Sequence, residues 1–137
     1  VVDLATLTGS ASRAIGKYGI VAMENYKNHF FSKSSSNMEE LVCIGDIVGE
    51  RVVVQPFWDD YKQELESEVA DIKNLGGTEA GHITAGKFLE YFVDYPWIHL
   101  DIAGSVFLKQ DYLYHKKGGT GIGVRLLTSW LANHSLS

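Results

Sequence analysis

Chemistry in this chain starts with His99 and Asp101, which stand two apart in Trp97-Ile98-His99-Leu100-Asp101-Ile102-Ala103. Side chains two apart on a strand share a face, so an imidazole and a carboxylate would point the same way, an arrangement a metal can use. A metal centre takes three or four protein ligands, and no other His or carboxylate has an evident claim to complete one. The expectation is therefore a hydrogen-bonded pair inside the fold. His29, His82, His115 and His134 stand in polar surroundings and read as surface residues, with His82 set apart by its Gly-rich turn.

Spacing bears on the remaining constellations. Gly118-Gly119-Thr120-Gly121-Ile122-Gly123 resembles a phosphate loop only loosely: it lacks the Lys-Ser/Thr of a P-loop, and its glycines do not match the dinucleotide fingerprint. A turn that lets a helix pack closely on a sheet is the simpler reading. Asp59-Asp60 and Glu66/Glu68 have charged neighbours and read as a solvated helix face and its exit loop. No Gly-x-Ser-x-Gly elbow exists, which argues against a serine nucleophile. Thr6–Gly9 follows an apolar run, Val1, Val2 and Leu4, and so falls at the carboxyl end of a strand, where α/β proteins meet their ligands.

The elements that must position these residues follow from periodicity. Strands are expected at Val1–Leu4, Gly19–Glu24, Arg51–Gln55 and Trp97–Ala103. Ser10 is expected to cap a short helix that runs to Gly16. Ser36 with Glu39, or Asn37 with Glu40, forms a capping box before a helix with Met38, Leu41, Ile44 and Val48 on one face and Gly49 as its stop. Pro56 opens another helix, on which Phe57, Tyr61 and Leu65 recur at a spacing of four. A third helix follows Gly81 with Ile83, Phe88, Leu89, Phe92 and Val93 inward. A last one opens at Gly118–Gly121 with Val124, Leu127 and Leu131 on one side. Asn25–Ser36 reads as a surface loop whose Phe30-Phe31 folds back on the body. Alternating strands and helices imply an α/β fold: three layers, α/β/α, around a mixed and largely buried sheet.

Length and charge narrow the partners. The chain has 137 residues, 45% of them hydrophobic, which suits one domain with a packed core. A net charge of -5, with Lys and Arg dispersed, excludes nucleic acid and an anionic membrane surface as expected partners. Cys43 is the sole cysteine, so it forms no intramolecular disulfide; it is expected to be a small core residue in a reducing, cytoplasmic setting. No apolar run approaches the ~20 residues of a membrane span. Val1 falls inside an apparent core strand, so the expectation is a piece of a longer polypeptide whose missing part lies upstream.

Seven blocks, in order, carry a resemblance. Asp3-Leu4-Ala5-Thr6-Leu7-Thr8-Gly9 is followed by Gly49-Glu50-Arg51-Val52, Pro56-Phe57-Trp58 with Tyr61, and Val69-Ala70-Asp71-Ile72-Lys73-Asn74. Then come Ile83-Thr84-Ala85 with Phe88-Leu89, His99-Leu100-Asp101-Ile102-Ala103-Gly104, and Thr120-Gly121-Ile122-Gly123-Val124-Arg125-Leu126-Leu127. Together they resemble the leucyl (cytosol) aminopeptidases, two-metal exopeptidases, in the C-terminal part of the catalytic domain. Residues 1–137 are expected to be that portion. The resemblance implies release of N-terminal residues, often leucine, from peptide substrates by a water activated between two zinc or manganese ions, in a homohexamer. The family's acidic metal-binding block is not among these residues, so this chain is expected to contribute no metal ligand and no catalytic residue, and to be inactive alone. It would supply the substrate wall: the backbone of Leu7 and Gly9 against the peptide, Thr6, Ala103 and Val106 around the N-terminal side chain, and Leu75 beside the next residue. Two departures stand out, the length of the Asn25–Ser36 loop and His82 at a position where the family generally has a small residue. The rival expectation is a non-catalytic binding or assembly protein with the same fold.

Overall fold

The computed structural model of the chain describes residues 1–25 and 37–134. The expectations for His29, for Phe30-Phe31 and for Ser36 as a cap lie outside them. Strand β1 (Val2–Ala5) leads through residues 6–8 into helix α1 (Gly9–Ile15), and a 3-10 turn, Gly16–Tyr18, returns the chain to β2 (Ile20–Glu24). Helix α2 (Asn37–Val48), β3 (Val52–Val54) and a 3-10 helix at Asp59–Leu65 follow. Next come α3 (Gly81–Glu90), β4 (Ile98–Asp101), a small hairpin of β5 (Phe107–Leu108) and β6 (Gly118–Gly119), and α4 (Val124–His134).

Four strands form one mixed sheet in the order β1-β4-β2-β3. β1 runs parallel to β4, β4 antiparallel to β2, and β2 parallel to β3. In β2, Ile20, Val21, Ala22 and Met23 are all fully buried, because both faces of the sheet are covered. Ile20 and Ala22 join Met38, Leu41, Ile44, Ile98, Leu100 and Leu126 under α2 and α4. Val21 and Met23 join Ala11 and Ile83 under α1 and α3. The three-layer α/β/α arrangement with a mixed, largely buried sheet is thus what the chain forms. Each fully buried leucine in it, such as Leu41 or Leu100, contributes roughly 1.5–3 kcal/mol.

Glycine sets two of the tight contacts. A Cβ on Gly104 would collide with the Gly16 carbonyl, and one on Gly123 with the Leu4 side chain. Gly123 also has φ +91, so the end of the Gly-rich stretch, just before α4, is a close-packing turn of the kind its sequence implied. Glu50 completes that corner from the other side. Its buried carboxylate accepts Gly123 N–H at 3.0 Å and Leu126 N–H at 2.8 Å, and Arg125 Nε lies 3.2 Å away. A carboxylate at the N-terminal turn of α4 satisfies donors that the helix itself cannot.

Several local expectations are corrected. Thr8, not Ser10, caps α1: its hydroxyl accepts Ala11 N–H at 2.9 Å. The stretch after Pro56 is 3-10 at Asp59–Leu65 rather than an α-helix, although Leu65 is buried and Tyr61 half-buried, as the spacing implied. Gly118–Gly119 is a strand paired with Phe107–Leu108, so α4 begins only at Val124. On α4 the buried residue is Leu126, with Leu127 and Trp130 against the core, whereas Val124 and Leu131 are exposed. Val124 precedes the first full turn, and its neighbour Leu126 is the one drawn under α2. Phe92 lies beyond the end of α3 and is exposed; His82 and Lys87 take buried places instead. Cys43 is exposed on the outer side of α2 rather than a core residue.

Candidate functional site

Parallel pairing of β1 with β4 brings two carboxyl ends together, with Ala5 opposite Asp101. Residues 6–9 leave one strand and residues 102–106 the other, so the segments that carry Thr6, Leu7 and Gly9 and Ala103 and Val106 both start from this end of the sheet. Asp101 shapes the junction. Its buried carboxylate accepts Leu7 N–H at 3.2 Å and Ala103 N–H at 3.1 Å on Oδ1, and the Thr8 hydroxyl at 2.7 Å on Oδ2. One side chain therefore ties both segments to the same point. Ile102 N–H adds a backbone bond to Ala5 O at 2.9 Å, and Val106 O accepts Thr120 N–H at 3.0 Å, anchoring the far side of the wall to the Gly-rich turn.

Exposure along this junction is graded. Thr6, Leu7 and Gly9 are exposed, while Ala103 and Val106 are half-buried. The junction is thus an exposed ledge at the carboxyl ends of β1 and β4. A cleft of about 520 Å³ lies elsewhere, between the 3-10 helix and α3, lined by Lys62, Leu65, Lys87, Glu90 and Tyr91 among others. Leu75 stands apart on the loop before α3, 77% exposed. Its loop reaches the ledge only indirectly, since Gly76 packs on Thr84 and Gly81 packs on Ser10.

His99 and Asp101 do share a face, but they are not bonded to each other. Each is committed to a partner from the β1 segment instead: His99 Nδ1 lies 2.8 Å from Asp3 Oδ1, and Asp101 holds Leu7 and Thr8. Trp97 stacks on the His99 ring and donates Nε1–H to the other Asp3 oxygen. His99 Nε2 is buried and has no hydrogen-bond partner among the described residues. No group of three or more His, Cys, Asp or Glu side chains converges to hold a metal ion among the described residues. Their donor set by itself does not fit a two-metal centre.

His82 was expected at the surface and is instead 8% exposed, at the start of α3. Burial pushes its imidazole below the ordinary histidine value, and the Asp101 carboxylate pulls it partly back. Ser10 Oγ lies 2.9 Å from Nδ1 and Gln55 Oε1 3.2 Å from Nε2. Sequence spacing gives no hint of this trio, because its members come from α1, the end of β3 and α3. Lys87 is likewise unforeseen: fully buried, it meets Glu90 at 2.9 Å and Asp59 at 3.4 Å and lies 3.8 Å from the Phe57 ring centroid. Asp59 is consequently not a purely solvated carboxylate; it also binds Lys62 at 3.1 Å.

Fold and topology together define an α/β domain in which two parallel strands end side by side, the kind of place where α/β proteins generally meet ligands. The sequence matches the cytosol aminopeptidase family, catalytic domain, over residues 1–128, and the chain belongs to that family. It is 43% identical over 129 residues to the probable cytosol aminopeptidase of Roseiflexus castenholzii, covering 93% of this chain and 25% of that protein. To the probable cytosol aminopeptidase of Chlorobium phaeobacteroides it is 45% identical over 133 residues, 96% of this chain and 25% of the relative. The chain thus spans about a quarter of the length of the curated relatives it matches. Among solved structures it is similar to a variant of tomato leucine aminopeptidase, with TM-score 0.81 and 34% identity, covering 96% of this chain and 24% of that one. It is also similar to the bottromycin maturation enzyme BotP in complex with Mn, with TM-score 0.86 and 30% identity over 98% of this chain and 29% of that one. No helix among the described residues is long and apolar enough to cross a membrane.

Proposed function

We propose that this chain is the substrate-facing, C-terminal portion of the catalytic domain of a metal-dependent aminopeptidase that removes N-terminal residues, leucine-like ones by preference, from peptides. The observation that carries the reading is the ledge where β1 and β4 end, joined by Asp101 in a chain of this family. None of the described residues is assigned to hold metal; two zinc or manganese ions bound in the whole enzyme would supply an activated water and polarise the scissile carbonyl. The residues described here bind and orient. Leu7 N–H is already committed to Asp101, so its carbonyl is the group left to accept from the peptide main chain. Gly9, without a side chain, admits the peptide backbone to close range. Thr6, Ala103 and Val106 bound the N-terminal side chain, and Leu75 lines the place of the next residue. The whole enzyme is cytoplasmic and hexameric in this reading.

The test uses the full-length protein loaded with manganese. Ala103→Phe fills the floor of the pocket and should lower kcat/KM for a leucine amide by roughly 10- to 100-fold relative to an alanine amide, with metal content unchanged. An unchanged ratio would remove Ala103 from the pocket. The 137-residue chain alone should release no leucine from the same amide; metal-dependent turnover there would overturn the division of labour.

A further inference from the structure

We propose that Ser10 is a nucleophile, activated by His82 and oriented through Gln55, that accepts acyl groups from small carboxylic esters at the rim of the ledge. Ser10 follows Gly9 directly and is half-buried, with its Oγ 2.9 Å from His82 Nδ1. The Gln55 carbonyl oxygen, 3.2 Å from Nε2, accepts the Nε2–H and so selects the tautomer whose Nδ1 carries a lone pair towards the serine hydroxyl. Nucleophile, base and orienting acceptor are thereby in line, with the two ring nitrogens exchanged relative to the usual serine-protease order.

Each member is held by independent structure. Gln55 N–H is bonded to Ala22 O at 2.9 Å, which fixes the end of β3 against the sheet. Ala80 adopts φ 49 immediately before α3, a left-handed conformation that a non-glycine residue rarely takes, and His82 follows in the first turn of the helix. Gly81 brings α3 so close to α1 that a Cβ there would stand 3.2 Å from Ser10 Cβ. Burial keeps the imidazole in its basic, neutral form at neutral pH, and Asp101 offsets the charge that arises when it takes a proton.

The reaction balances without a metal or a redox partner. Ser10 Oγ attacks the ester carbonyl carbon while its proton moves to His82 Nδ1. The bond to the leaving oxygen breaks as that oxygen takes the proton, leaving an acyl-serine and an alcohol. Water, deprotonated by Nδ1, then releases the carboxylic acid and restores the hydroxyl.

The experiment incubates the full-length protein with p-nitrophenyl acetate and with diisopropyl fluorophosphate in EDTA, and maps adducts by peptide mass spectrometry. The expected result is a single acetyl or phosphoryl adduct at Ser10, absent from Ser10→Ala and formed at least 100-fold more slowly in His82→Gln, both variants keeping the wild-type circular dichroism and melting transition. If His82→Gln does not fold, Gln55→Leu replaces it, with a slower adduct expected. No adduct at Ser10, an adduct formed equally fast in urea, or a rate indifferent to His82 and Gln55 overturns the proposal. Because EDTA is present throughout, the outcome is separate from the fate of the metal-dependent aminopeptidase reading.

Discussion

Asp101, the last residue of β4, accepts the hydroxyl of Thr8 at 2.7 Å across the gap between two parallel strands, and that same hydroxyl accepts Ala11 N–H at 2.9 Å. A relay of two hydrogen bonds therefore couples the ledge to the start of α1. Since Asp101 Oδ1 also takes Leu7 and Ala103 N–H, the geometry of the whole candidate site rests on one buried carboxylate.

Asp101→Asn keeps the shape but puts an amide where hydroxyl and N–H donors converge. It should lower stability by about 2 kcal/mol, read as a shift of the urea midpoint at unchanged m-value. Thr8→Val, which removes the relay and the cap, should lose about 1–2 kcal/mol, whereas Thr8→Ser should stay near wild type.

Glu50 offers a contrast between buried and exposed members of one interaction. Glu50→Ala strands the buried N–H groups of Gly123 and Leu126 and should lose about 3 kcal/mol in denaturant titration. Arg125→Ala removes only the 43%-exposed partner and should lose less than about 1 kcal/mol.

Lys87 is fully buried, yet Glu90 retains Lys62 at 3.6 Å when Lys87 is gone. Lys87→Met should therefore cost about 2 kcal/mol, below the ~3–5 kcal/mol of a wholly isolated buried pair. The double variant Lys87→Met/Glu90→Leu should recover part of that loss, a positive coupling that a double-mutant cycle reads directly.

His82 sets a pH dependence. Its folded-state value lies below the ordinary 6.5, so at lower pH the unfolded chain binds a proton that the folded chain resists. Stability linked to this group is intact above 6.5 and falls as pH drops through the lower, folded-state value. Wild type and His82→Gln, compared by urea unfolding between pH 8 and 5, should diverge only below about 6.5, with the wild type showing the steeper fall, by at most one proton.

The family resemblance was visible along most of the chain because its blocks are contiguous in sequence, and the capping box and apolar stripe of α2 were visible because a helix is a local structure. Misreadings cluster where distant segments compete. Ser10 looked like the cap of α1, but Thr8 holds that place because Asp101, 93 residues away, fixes its hydroxyl. Cys43 and Leu131 looked like core residues by type, yet the packing of α2 against α4 left them outside.

Alternation of apolar segments with glycine stops, by itself, determined the α/β layers and placed Thr6–Gly9 at the end of a strand. Only the tertiary structure decided which strand lies next to β1, that Asp101 and His99 each face β1 rather than one another, and that Ser10, Gln55 and His82 meet. Periodicity reports which face of an element is apolar, whereas hydrogen bonds across 27 to 94 residues exist only once the layers have closed on them.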